Sequence, residues 1–407
     1  MQNQSLAIGP TPTGTFPELM LVFELAGSVE DFFIAVNKVP DLYFLKEYET
    51  EFPADDFFAA ESDKPVPGRI FVSLANQKAL KDLQRLWNIY IQPDEKQYFE
   101  KGLAKFKQFF GQLRDVRPYS ILDRIRDTGL ETYILELKQQ GEEWVKFEIE
   151  FAYPESSPKR EKGLKEVRRL LEAHKGQVLE DSIVDLRAIH YLACIAEAPI
   201  SAFDDLTENT DIKFLKASQV LYFRPVGQVI LPERKIDGEL EKYPESDEGE
   251  ETFGNPVIAL LDGMPLSHHP ALEGKLMIDD PDNYEATYEI GSRKHGTSMA
   301  SLILNGDLSD NKNKLVRPIY VRPVMKANKM GSEYFPDDIL PIDLFHRAVK
   351  RMLVGEGGEA PTAPEVKIIN ISIGDIFRPY LLEVSSWAKL LDWLSWEYYS
   401  QCRKFNR

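Results

Sequence analysis

The stretch Asn255–Gly306, NPVIALLDGMPLSHHPALEGKLMIDDPDNYEATYEIGSRKHGTSMASLILNG, constrains the fold more than any other part of the chain. Val257 to Leu261 is a short apolar run, β-branched at its start and bounded by Pro256 and Asp262-Gly263, which is the pattern of a buried strand. Such a strand delivers Asp262 to its carboxyl end, where doubly wound α/β folds hold ligands and do chemistry. Further on, His295 precedes Gly-Thr and a helix-like apolar stretch, Met299 to Leu304. An acid at a strand end and a histidine opening a helix can act as a base and the group that orients it. Singly, an Asp-Gly is an ordinary turn and a histidine before Gly-Thr can be a helix cap. Their joint occurrence, with the apolar run KIINISIG at Lys367–Gly374 downstream, favours the catalytic reading.

These three runs carry a resemblance. VIALLDG, KHGTSMASLI and KIINISIG are similar, in order and spacing, to the Asp motif, the His motif and the cleft-wall strand of the subtilisin-like serine peptidases. The resemblance implies that Asp262 holds the imidazole of His295 in one tautomer while His295 takes a proton from a serine nucleophile. It also implies that Ser372, Ile373 and Gly374 pair with an extended polypeptide substrate as an added strand, the glycine leaving room beside the scissile bond. No metal ligand and no cofactor are expected. The chain departs from the family in writing Asp262-Gly263 where Asp-Ser-Gly or Asp-Thr-Gly is usual, so the turn after the acid must differ. Gly296-Thr297-Ser298-Met299-Ala300 also matches the family's serine motif. The Asp and His motifs would then both have to lie upstream with an α/β core between, so Ser298 is read as a helix residue.

The remainder of the chain sets the context. Its 407 residues, 43% hydrophobic, suffice for two or three domains with cores. A net charge of −17 argues against nucleic-acid binding, which needs a basic footprint. No apolar run approaches the length of a membrane span and the N-terminus lacks the form of a secretory signal, so no membrane partner and a cytoplasmic protein are expected. Cys194 and Cys402 make neither a disulfide framework nor a metal-ligand spacing. Asp279-Asp280-Pro281-Asp282-Asn283 is the nearest candidate for a calcium loop and reads as a solvated turn.

Residues 1–100 read as a ferredoxin-like module in the order β-α-β-β-α, after a loose Pro/Thr-rich start. Its strands are Leu19–Leu25, Leu42–Phe52 and Arg69–Leu74, with helices capped by Ser28 and Asn76. Residues 101–228 read as a second α/β module: a helix through Leu113, a helix after Pro118 stopped by Gly129, and a hairpin of YILEL with VKFEIEF. Val145, Phe147, Ile149 and Phe151 alternate on one face of the latter. A helix from Ser157-Pro158 and strand-like segments at Val178–Ile200 and Gln219–Phe223 complete the module. Residues 229–254 form an acidic linker, with eight acidic residues against Lys242 between Asp237 and Glu251. By the resemblance, residues 255–407 would be an incomplete peptidase domain. The expected fold is therefore α/β, a truncated subtilisin-like doubly wound parallel sheet preceded by two small α+β modules.

No second Gly-Thr-Ser occurs after His295, and the Ala-Gly-Asn strand that would complete an oxyanion hole is missing. A subtilase without its nucleophile and that donor is expected to be inactive. Two readings remain: a serine endopeptidase whose chain here is truncated, or a non-catalytic polypeptide-binding or regulatory protein. The fullest resemblance, which takes in the N-terminal modules, is to bacterial intracellular subtilases with long N-terminal regions. It implies a polypeptide substrate and an AAA-type ATPase as a partner.

Overall fold

The computed structural model describes residues 19–26, 35–53, 64–93, 96–203, 217, 219–226, 252–306, 314–374 and 384–405. They form two compact units, one built on the chain up to Pro225 and the other on most of the chain beyond it. The expected Ser28 helix cap, the loose N-terminus and the acidic run 237–251 lie outside the described residues.

In the first unit β1 (Leu19–Ala26), β2 (Leu42–Phe52) and β3 (Val66–Ala75) fall where the apolar alternation places them. Asn76 caps α1 (Gln77–Tyr90) by accepting from Ala79 N at 3.0 Å. The expected helix through Leu113 is shorter: α2 (Lys105–Gln112) ends there, and β4 (Leu113–Pro118) pairs antiparallel with β1. The first sheet thus has the order β2-β3-β1-β4, and its module extends past residue 100.

A short α3 (Ile121–Ile125) opens on a capping box formed by Ser120 and Asp123. The expected hairpin strand YILEL is instead part of a helix, α4 (Leu130–Gln140). Leu130, Ile134 and Leu137 recur at helical spacing toward the core, and left-handed Gly129 and Gly141 bracket the helix. A strand there would have put Leu135 inward with its alternating neighbours, whereas Leu135 is half exposed. The partners of β5 (Trp144–Phe151) are therefore distant in sequence. After α5 (Ser157–Glu172) come β6 (Gln177–Val178), β7 (Val184–Leu186), β8 (Tyr191–Pro199) and β9 (Val220–Pro225), and β5 lies antiparallel between β8 and β9. Val145, Phe147, Ile149 and Phe151 do share the core face, and Glu148 and Glu150 on the other face are paired with buried Arg224.

The two N-terminal modules do not separate. Met20, Val22, Ile70 and Val72, on the second face of the first sheet, share a core with Ala152, Leu221 and Tyr222, so the sheets bury each other.

The second unit holds a parallel sheet. Its strands are β10 (Ile258–Asp262), β11 (Leu276–Ile278), β12 (Ile319–Pro323) and β15 (Ile368–Ile371), in the order β11-β12-β10-β15. A short antiparallel pair, β13 (Lys326–Ala327) and β14 (Glu333–Tyr334), comes after β12. Helix α6 (Lys294–Asn305) lays Ala300 and Leu304 on Leu260, Ile319 and Val321. Helix α7 (Pro341–Leu353) packs on α8 (Ser386–Phe405) through Phe345 and Trp387, whose rings lie 4.3 Å apart. Strands β12 and β11 fill one side of β10 and β15 the other. The carboxyl ends of β10 and β15 therefore flank a topological switch point, where doubly wound sheets bind ligands. No described helix is long and apolar enough to cross a membrane.

Candidate active site

Asp262 closes β10 and is fully buried, in register with Pro323 of β12 and held there by Val324 N donating to its carbonyl at 2.9 Å. His295 is the second residue of α6. Its Nδ1 lies 2.7 Å from Asp262 Oδ1, the same oxygen that accepts from Gly263 N at 2.6 Å. The histidine is thus no helix cap; its ring is taken up by the carboxylate.

The residues after His295 explain how helix and strand end meet. A Cβ on Gly296 would stand 2.4 Å from Gly263 O, so only glycine lets the first turn of α6 rest on the turn after β10. Thr297 Oγ1 then accepts from Leu266 N at 2.9 Å and donates to Arg293 O, tying the loop after Asp262 to the start of the helix. Ser298 is exposed and its Oγ donates to Lys294 O at 2.9 Å, the back-bond of an ordinary helical serine.

Leu261 is in register with Ile371, so β15 ends beside Asp262 and the segment Ser372–Gly374 leaves the sheet at that point. Ser372 Oγ donates to Asn370 Oδ1 at 2.6 Å, Ser372 and Ile373 are partly buried, and Gly374 is exposed with open space where a side chain would be.

Two groups that the sequence did not mark stand next to the pair. Glu333, on β14, is 6% exposed, and Tyr288 OH donates to its Oε1 at 2.9 Å. Burial, and secondarily the charge of Asp262, push the Glu333 carboxyl up to about 7, against the Tyr288 hydrogen bond and His295, which pull it down. His295 is raised above the ordinary histidine value, chiefly by its hydrogen bond to Asp262 and despite partial burial. Burial also holds the Tyr288 hydroxyl far above the usual phenol range, so it stays protonated. The Asp-Gly departure was the only signal in the sequence that something else fills this space; no local pattern points to Glu333 itself.

A raised carboxyl makes stability depend on pH with a definite sign. Glu333 is protonated in both states below its ordinary 4.5, and between 4.5 and about 7 only the unfolded chain releases the proton. Stability is therefore lost as pH rises through that window, by about 3 kcal/mol for a shift of this size. His295, also raised, loses its contribution in the same direction. Glu333→Gln is expected to flatten the decline, so that urea denaturation at mildly alkaline pH finds the variant more stable than the wild type by about that amount. An equal slope in both proteins would contradict the burial of an ionisable Glu333.

The loop Asp279–Asn283 is no cation cage. Asp279 accepts from Arg351 Nε at 3.1 Å, Asp282 is bound by Arg322, and Asp280 accepts from Tyr284 N and Glu285 N at 3.0 and 2.8 Å. Among the described residues no group of three or more His, Cys, Asp or Glu is placed to hold a metal. Cys194 is buried and free, its thiol pushed up by burial and so unreactive.

No protein-family model matches this chain, and no curated protein matches it either.

Proposed function

We propose that the second unit is the acid–base part of a subtilisin-like serine endopeptidase. The observation that carries the reading is the 2.7 Å contact between Asp262 Oδ1 at a parallel-strand end and His295 Nδ1 in the first helical turn of HGTSMA. In that reading Asp262 fixes the Nδ1–H tautomer and stabilises the imidazolium, leaving Nε2 to take the proton of a serine and later return it to the leaving amine. Ser372–Gly374, beside Asp262 at the end of β15, would hold an extended polypeptide by its backbone, and the open space at Gly374 suits a substrate side chain. The first unit's strand order β2-β3-β1-β4 fits a ferredoxin-like unit, a shape that subtilase propeptides share. An AAA-type ATPase partner and a cytoplasmic location belong to the same reading.

Ser298 is not the nucleophile in this reading; its hydroxyl donates to Lys294 O at 2.9 Å, as an ordinary helical serine does. Among the described residues the His295 ring has no hydrogen-bond partner besides Asp262. The second reading is a polypeptide-binding protein that uses the same cleft without hydrolysis.

Reading the coding DNA past codon 407 in all three frames separates the two. The peptidase reading expects an Ala-Gly-Asn strand and then Gly-Thr-Ser-Met-Ala; without them only polypeptide binding stands. In a chain that carries the serine motif, His295→Ala is expected to lower kcat on a fluorogenic casein by roughly 10⁴ to 10⁶. The 407-residue protein should take no label from a fluorophosphonate probe. Label on Ser298 would overturn the assignment of that residue.

A further inference from the structure

We propose that Glu333 is a positioning residue for the Asp262–His295 pair: its carboxyl, seated over Gly263 and held by Tyr288, changes charge beside the pair and so sets the pH range in which His295 accepts a proton. The catalytic meaning of this rests on the peptidase reading, while the coupling itself is a property of these side chains.

Space is the first argument. A Cβ on Gly263 would lie 1.7 Å from Glu333 Oε1 and 3.1 Å from Tyr288 OH. The shortened Asp262-Gly263 turn and the buried glutamate are therefore two halves of one device. The glycine exists in this form because a carboxyl occupies the room that a side chain would need.

Hydrogen bonding is the second. The Tyr288 hydroxyl lies 2.9 Å from Glu333 Oε1 and 3.2 Å from Met325 O, and it has one proton for two acceptors. If Glu333 is protonated it can donate to the phenol oxygen while the phenol donates to Met325 O, and every group is satisfied. If Glu333 is ionised it accepts the hydrogen bond of the phenol, which keeps its proton, and Met325 O is left without this donor. The two charge states thus have different hydrogen-bond arrangements, as a two-state element requires.

Charge is the third. The ionisable groups that act on Glu333 are Tyr288, Asp262 and His295. Asp262 is fully buried and its Oδ2 has no hydrogen-bond partner among the described residues, so its negative charge is only partly compensated. Cations on neighbouring elements are engaged elsewhere. Arg293 lies over the Tyr288 ring at 5.9 Å but pairs with Glu285 at 3.0 Å, and Lys326 of β13 pairs with Asp338 at 3.7 Å and lies over Tyr284 at 5.3 Å. His295 is then the cation that responds. With Glu333 neutral it faces one carboxylate; with Glu333 ionised it faces two and keeps its proton to higher pH, postponing its use as a base.

The test is an NMR titration of the His295 ring in the 407-residue protein, its signal assigned by loss in His295→Ala. In the wild type the curve is expected to be broad or two-stepped, because two coupled groups titrate together. In Glu333→Gln it should become a single step, moved down by about 0.5 to 1 pH unit. Tyr288→Phe keeps the carboxyl and removes the donor that favours its ionised form, so Glu333 stays neutral to higher pH and the His295 curve should move down, toward that of Glu333→Gln. This second variant decides the matter if Glu333→Gln does not fold. Curves that coincide with the wild type in the folded variants overturn the proposal. A failure of the peptidase reading shows as absent hydrolysis in a chain with the serine motif and leaves these titrations unchanged; coincident curves in an active peptidase sink only the role of Glu333.

Discussion

Arg322→Ala is expected to destabilise the second unit by about 3–5 kcal/mol, the cost of removing one partner from a buried ion network. Arg322 sits on β12, is 1% exposed, and carries one of the largest fully buried side chains of the protein. Its guanidinium donates to Asp282 and to the carbonyls of Asp279 and Pro323, at 3.5 and 3.3 Å, and lies 3.9 Å from Asp280. Arg351 and Arg347 reach Asp279 and Asp282 from α7, but at the network's outer side, where both arginines are partly exposed. Without Arg322 the carboxylates on the strand side lose their cation while remaining largely shielded from water. Desolvated charge, rather than the lost packing, dominates the cost. Hydrogen exchange read by mass spectrometry on the Ile319–Pro323 strand should show the loss, because it reports the stability of that segment itself, which a single global transition would blur. Protection within about 1 kcal/mol of the wild type would mean that the network relaxes around the gap.

Gly296→Ala is expected to have the second large effect, and against the direction that helix propensity suggests. Alanine in a helix interior is favoured over glycine by about 1 kcal/mol. Here, though, the new methyl would meet Gly263 O at 2.4 Å, Gly263 C at 2.9 Å and Met264 C at 3.1 Å, all backbone atoms that cannot swing aside. The first turn of α6 must lift from the β10 turn, at an overpacking cost of about 1–3 kcal/mol or more. His295 moves with it. The variant should lower the thermal midpoint and let His295 titrate back toward its ordinary 6.5, since the Asp262 hydrogen bond is what raises it. Gly291→Ala is the control, because nothing lies within 4 Å of a Cβ there, and it should leave both readouts unchanged. A Gly296→Ala protein with wild-type stability and an unaltered His295 titration would show that the close approach does not hold the pair together.

Much of the site was legible before the fold. The run Val257–Leu261 marked a buried strand and put Asp262 at its end, and that is where β10 ends. Met299 to Leu304 has the spacing of a helix, and α6 covers it with His295 in its first turn. In the first unit, Leu42–Phe52 emerges as a strand with those same bounds and Asn76 caps the helix after it. The misreadings share a cause. Tyr133, Leu135 and Leu137 alternate well enough for a strand, and only the burial of Leu130 and Ile134 against β5 selects the helical period. Leu113 and Val116 fit a helix or a strand by themselves, and the open edge of β1 makes them a strand. The second face of the first sheet is apolar in sequence as well, and in the structure it shares a core with Ala152, Leu221 and Tyr222 of the second module.

By itself, then, the sequence determined which segments are strands, that Asp262 ends one of them, where Asn76 caps a helix, and that His295 lies in the first turn of another. Local periodicity and side-chain type carry that information, because strand alternation, helical spacing and caps are set by near neighbours. Only the tertiary structure decided what surrounds the pair: Gly296 bare against Gly263 O, Glu333 in the space that Gly263 leaves, and Asp279 and Asp282 filled by arginines rather than open to a cation. Each of these is a contact between residues far apart in the chain. Steric exclusion and desolvation act on the atoms that the folded backbone brings together, and they leave no periodic trace in the segments they join.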